Sequence, residues 1–106
     1  MTLLECQQQF ASMVPRLIDK AVELGYAVTL GDAYRDPRVT YGHPGSLHRF
    51  RLAIDLNLFS GEDFLHFITD GEGHRELHEY WESIGGAKII KGDSNHYSLQ
   101  WQSGVR

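Results

Sequence analysis

Four residues of this chain have the types and spacing to build a metal centre that activates water: His48, Asp55, Asp93 and His96. Two imidazoles and one carboxylate leave a fourth position open for water, which is the ligand shell of a catalytic zinc. Zinc in such a shell polarises a carbonyl and lowers the pKa of its water towards neutrality. Asp93, three residues before His96, would share a rim with it across a turn and could move the water's proton. The first pair carries a geometric condition. His48 and Asp55 are seven residues apart, and on a continuous strand an odd separation sends side chains to opposite faces. On a continuous helix they would share a face but stand two turns, about 10 Å, apart. Ligand atoms around one zinc lie only about 3 Å from each other. His48 must therefore sit in a loop that folds back onto a strand carrying Asp55.

The elements that would position these residues can be read from periodicity. Thr2 followed by Glu5 forms a capping-box pattern, so a helix should begin near Leu3. Phe10, Met13, Val14, Leu17, Ile18, Ala21 and Leu24 continue it at helical spacing up to Gly25. Pro15 predicts a kink or a fresh start with Ser12 as cap. A short strand follows at Ala27–Leu30. Residues 31–45 then lose periodicity and gain Asp, Pro and Gly, as functional or disordered loops do. Arg35 and Arg38 flank a Pro-fixed turn there, which either holds a guanidinium for a carboxylate or is simply solvated. His43, before Pro44, reads as a surface residue.

From Ala53 to Phe59 the pattern alternates: Ile54, Leu56 and Leu58 face one way, Ala53, Asp55, Asn57 and Phe59 the other. Phe64–Ile68 predicts a strand pairing back as a hairpin. A helix from His74 to Ile84 is closed by Gly85-Gly86. Two more strands, Ala87–Ile90 and His96–Trp101, are joined by a turn at Lys91–Asn95. The expected fold is α+β, with helices flanking a small, mainly antiparallel sheet.

Composition sets broad bounds. At 106 residues the chain reads as one domain, with 42% hydrophobic and 23% charged residues, an ordinary globular balance. A net charge of −4 argues against a nucleic-acid binder. Cys6 is the sole cysteine, so any metal must be held by His and carboxylate. Neither a signal peptide nor a run long enough to span a membrane is evident, so synthesis in the cytosol is expected. A rival ligand pair exists on the second helix, where His74 and His78 are spaced i and i+4 with Glu82 one turn on. The helical protease motif needs Glu directly after the first His, and here that residue is Arg75. His78 also borders the apolar Leu77–Trp81 stripe, so the alternative is a residue that simply caps the core.

Ser46-x-His48, Ala53-x-Asp55, a helix with Trp81 ending in Gly-Gly, and Asp93-x-x-His96 together resemble the zinc peptidases of bacterial cell walls. That family holds D-alanyl-D-alanine carboxypeptidases and L-alanyl-D-glutamate endopeptidases, bacteriophage endolysins among them, and shares its fold with the Hedgehog signalling domain. The resemblance covers roughly residues 34–101, and the compact length looks most like the endolysin branch. It implies one zinc ion held by His48, Asp55 and His96, with Asp93 as general base and acid. It further implies that Arg35 steadies substrate or oxyanion, and that Ser46 contacts substrate or orients the ligand loop. The implied partner is the peptidoglycan stem peptide, met at the wall after release from the host cytoplasm by a monomer that does not enter the membrane. Three positions depart from the family's pattern. Arg51 stands where glycine is common, and its charge would lie near the cleft as a second substrate-binding cation. Asn95 replaces an aromatic residue, and Asp93 a frequent Glu.

Overall fold

Thr2 caps the first helix in both directions, its hydroxyl accepting the Glu5 N–H at 3.1 Å while the Glu5 carboxylate accepts the Thr2 N–H at 3.0 Å. The computed structural model describes residues 1–34, 38, 46–68 and 71–101. In it, α1 is a single 21-residue helix, Leu3–Glu23, that runs through Pro15. The fresh start expected there does not occur, and Ser12 caps nothing; its hydroxyl bonds back to the Gln9 carbonyl at 2.7 Å. Pro15 and Ala11 are both exposed, so the carbonyl that loses its partner can turn to water. The buried stripe of Cys6, Phe10, Met13, Leu17 and Ala21 continues on both sides of the proline. That shared burial offsets the roughly 3 kcal/mol an interior proline costs.

β1 (Ala27–Leu30) pairs antiparallel with β2 (Ala53–Ser60), Ala27 opposite Phe59 and Leu30 opposite Leu56. The alternation holds along β2 from Ile54 onward: Ile54, Leu56 and Leu58 are buried in the core, whereas Asp55, Asn57 and Phe59 are partly exposed; Ala53, at the start of the strand, is buried as well. β3 is only His66–Phe67, shorter than the expected Phe64–Ile68 strand. Phe64 has a φ of 58° and donates its N–H back to Gly61, so the chain is still turning there. β4 spans His96–Ser98 and also pairs antiparallel with β2. The Ile68 N–H bonds to the Leu58 carbonyl, and the Leu56 N–H to the Asn95 carbonyl. Alternate residues of a strand present their backbone groups to the same side, so β3 and β4 meet one edge of β2 end to end. No strand forms at Ala87–Ile90, against expectation. Ala87 bonds to the Ser98 carbonyl at 2.8 Å, but Ile90 is taken up by a bridge to Asp93 across the turn.

α2 (Glu72–Ser83) packs on α1, with Phe10 meeting Trp81 edge-on at 5.9 Å. Trp81 has no exposed surface, touches Tyr97 edge-on at 6.1 Å, and donates its indole N–H to the Ser98 carbonyl at 2.9 Å. That bond helps tie α2 to β4. Gly86 passes so close to the indole that any side chain would overlap its ring. Gly86→Ala is therefore expected to destabilise the protein by about 3 kcal/mol, read as a fall in Tm of roughly 10 °C or more. The architecture is α+β, with both helices contributing to the core on the Ile54–Leu58 face of an antiparallel sheet. Among the described residues, no helix is long and apolar enough to cross a membrane.

Candidate metal centre

The fold-back required of His48 is made by a single 3-10 turn, Leu47–Phe50. Ser46 starts it, its buried hydroxyl accepting the His48 N–H at 3.3 Å. The bond joins Ser46 to the backbone of the residue that carries the first imidazole. Arg51 ends the turn with φ 57° and ψ 37°, and the Leu52 N–H closes it onto the Leu47 carbonyl at 2.9 Å. A non-glycine residue pays about 1–2 kcal/mol in this left-handed conformation, and glycine would adopt it freely. The Arg51 guanidinium lies over the Tyr34 ring, 4.2 Å from its centroid, a contact worth roughly 0.5–1 kcal/mol at an exposed site.

The chain then enters β2, and Asp55 stands directly opposite His96 on β4. Opposed residues of an antiparallel pair send their side chains to the same face. Three donor atoms converge there. His48 Nε2 is 3.0 Å from Asp55 Oδ1 and 3.1 Å from His96 Nδ1, and the latter two are 3.7 Å apart. Bonds of about 2 Å to a tetrahedral ion set its ligands about 3.3 Å from each other, and the observed separations bracket that value. Two imidazole nitrogens facing each other beside a carboxylate oxygen repel unless a proton or a cation lies among them. His48, Asp55 and His96 can thus hold a metal ion, and they are the one such group of three among the described residues.

Electrostatics prepare the carboxylate. Burial pushes the Asp55 carboxyl up, but hydrogen bonds from His48 and His96 outweigh it and hold the group at about 2. Asp55 is consequently anionic at any physiological pH. Both histidines are almost fully buried, at 2% and 3% exposure, which excludes competing water from the ligand atoms. Their remote nitrogens, His48 Nδ1 and His96 Nε2, are buried without a hydrogen-bond partner among the described residues.

Asp93 lies outside this triangle but beside it, Oδ2 3.9 Å from His96 Nδ1. Its side chain is 53% exposed. It borders a cleft of about 240 Å³ between the Phe67–Ile68 wall and the Gly92–Asn95 turn, with His74 also lining it. A half-exposed carboxylate on the rim of a cleft, next to the donor atoms, can exchange a proton with a water held there. Arg35 and His43 fall outside the described residues.

The end of β1 packs unusually close to the ligand strand. The Gly31 N–H donates to the Asp55 carbonyl and the Asp55 N–H to the Asp32 carbonyl, both at 2.8 Å. A methyl group on Gly31 would stand 3.0 Å from Asp55 Cβ and 3.3 Å from its carbonyl oxygen. Gly31→Ala should push Asp55 out of line and weaken metal binding about tenfold, measured by competition with a chromophoric chelator.

The rival helical pair is accounted for differently. His74 Nδ1 is 2.7 Å from the Tyr97 hydroxyl, and His78 Nε2 is 2.9 Å from the Ser94 carbonyl. His78 also stacks flat on Tyr97, 4.0 Å between centroids and 11° between planes. Burial drives its pKa down to about 4, against the hydrogen bond to the Ser94 carbonyl, and electrostatic interaction with His74 and His96 acts in the same direction as burial. Glu82 is exposed. Sequence reasoning placed His78 at the margin of the Leu77–Trp81 stripe but missed its bond to the loop that carries Asp93. No local pattern encodes that contact, because it spans 16 residues.

No protein-family model matches the chain, and no curated protein matches it.

Proposed function

We propose that the protein is a zinc-dependent peptidoglycan peptidase that hydrolyses an amide bond of the stem peptide, the L-alanyl-D-glutamate bond in the manner of a phage endolysin. The observation that carries this reading is the convergence of His48 Nε2, Asp55 Oδ1 and His96 Nδ1 with the Asp93 carboxylate beside them. Bound zinc would supply the Lewis acidity that polarises the scissile carbonyl and acidifies a water. Asp93 takes the proton from that water and returns it to the leaving amine, a role that suits its position on the open rim. Ser46 acts through the ligand turn and is not a nucleophile; its hydroxyl is engaged with the His48 N–H. The anionic D-Glu side of the bond calls for a cation, for which Arg35 and Arg51 are the candidates. An α+β domain with two ligands on an antiparallel sheet and the third on the turn leading into it is consistent with the Hedgehog-type fold that the resemblance implies.

The reading extends to a protein made in the host cytoplasm and acting on the wall after release. Two neighbouring readings differ in product: a D,D- or L,D-carboxypeptidase of the same family, and a zinc-stabilised wall-binding module without turnover. Asp93 favours catalysis, since a pure binding module has no use for an acid next to its last ligand. Digestion of purified peptidoglycan with and without a chelator, followed by mass spectrometry of released fragments, separates the three. New N-terminal D-Glu is expected in the absence of chelator. Free D-Ala would assign the carboxypeptidase instead, and no product under either condition would overturn the enzymatic reading.

A further inference from the structure

The buried side of the centre contains a histidine that the proposed reaction does not use. His78 is 1% exposed, belongs to α2, and reaches the metal-bearing segment at two points that bracket His96. Its Nε2 meets the Ser94 carbonyl at 2.9 Å, and its ring lies flat against Tyr97 at 4.0 Å. A nitrogen that faces a carbonyl at this distance must carry the proton, so a neutral His78 is the Nε2–H tautomer. Its other nitrogen, Nδ1, is then a bare acceptor, and it is buried without a hydrogen-bond partner among the described residues. The ring is thus held by one hydrogen bond and one stacked face. Both contacts fall on the segment that presents Asp93 and His96.

We infer that His78 is a positioning residue for the Asp93–His96 turn, fixing through the Ser94 carbonyl both the last metal ligand and the proton-transfer carboxylate. Other restraints act on either side of the Ser94 carbonyl, and His96 itself is paired with Asp55 across β4 and β2. Backbone bonds join Asp93 N–H to Ile90 and His96 N–H to the Asp93 carbonyl, at 3.0 and 3.2 Å. The Leu56 N–H holds the Asn95 carbonyl, and the Asn95 amide reaches Asn57 only at 3.4 Å. Without the His78 donor, the Ser94 carbonyl would rotate to find another partner. The peptide planes on either side, which set the Asp93 and His96 side chains, would rotate with it.

The assignment of Asp93 to proton transfer rests on the function proposed above, but the positioning of His96 can be tested without any substrate. His78→Phe keeps a flat ring against Tyr97 and removes the donor; His78→Gln loses the ring but places an amide N–H near the position of Nε2. For the folded variants, zinc affinity by chelator competition should fall about tenfold or more in His78→Phe and recover largely in His78→Gln. Where wall hydrolysis is measurable, kcat at saturating zinc should follow the same order, with KM changed less than twofold. Equal affinity in His78→Phe and the wild type, or equal loss in both variants, would overturn the inference. The wild-type protein provides a check that needs no variant: 15N chemical shifts of the His78 ring should report the Nε2–H tautomer. A proton on Nδ1 would overturn the assignment. If the wild type fails to hydrolyse any wall peptide, the functional reading falls while the zinc series still decides the role of His78.

Discussion

Asp93→Ala is expected to reduce wall-peptide hydrolysis by about 10²–10⁴-fold, the usual contribution of a positioned general base, while zinc stays bound. Two features of the centre separate these effects. The three ligand atoms lie within 4.8 Å of one another without any help from Asp93. The Asp93 carboxylate instead approaches from the side, 3.9 Å from His96 Nδ1, on a half-exposed side chain that borders the cleft. Truncating a half-exposed side chain in a turn should change stability by no more than about 0.5 kcal/mol, so a loss of turnover cannot be assigned to unfolding. Quantifying released fragments by mass spectrometry alongside zinc content checks both halves. Near-wild-type turnover in Asp93→Ala would sink the assigned mechanism, and loss of zinc would make Asp93 a ligand.

Removing the metal should have the second large effect, on stability as well as activity. With free zinc at about a thousand times Kd, binding to the folded state alone adds roughly 4 kcal/mol. For a domain of this size each kcal/mol moves Tm by about 4–8 °C, so chelation should lower Tm by roughly 15 °C or more. The structural reason is that the ligands come from distant parts of the chain: a turn at His48, a strand at Asp55 and a second strand at His96. An ion among them would close a loop of nearly half the sequence in a chain whose lone cysteine, Cys6, is free and buried. His48→Ala should melt like the chelated wild type and gain nothing from added zinc. A thermal shift series with zinc and chelator tests this, and identical Tm values across it would exclude a structural contribution from metal.

Much of this arrangement was legible in the chain wherever a local rule applied. The Thr2–Glu5 box gave the start of α1, and the alternation after Ala53 put Asp55 on the polar face of β2. The parity argument for His48 and Asp55 required a fold-back, and the left-handed Arg51 supplies it. The resemblance implies glycine at the position of Arg51, and the φ of 57° there is one that glycine adopts freely. The misses share a different origin. Pro15 left a fresh start open because local propensity disfavours it, but packing of Phe10 and Leu17 on either side carries the helix through. Ala87–Ile90 has strand-like composition, yet Ile90 is committed to the turn that shapes Asp93. His78 looked like a core-edge residue or a helical metal ligand. Its bond to Ser94 depends on how α2 docks against β4, which no spacing rule contains.

The pairing of β4 with β2 has an implication for how this protein tolerates change. Along β4, His96 turns toward Asp55 while Tyr97 turns toward Trp81 and His78. A slip of one residue would exchange those faces, burying an imidazole among the core rings and offering a phenol to the ligand triangle. Only one alignment satisfies the metal ligands and the core together. Insertions or deletions between Lys91 and Asn95 are therefore constrained twice over, and a chain that regains its fold after such a change has in the same act regained its centre. Metal uptake during refolding would accordingly serve as a reporter of strand alignment, silent in any misaligned species however compact.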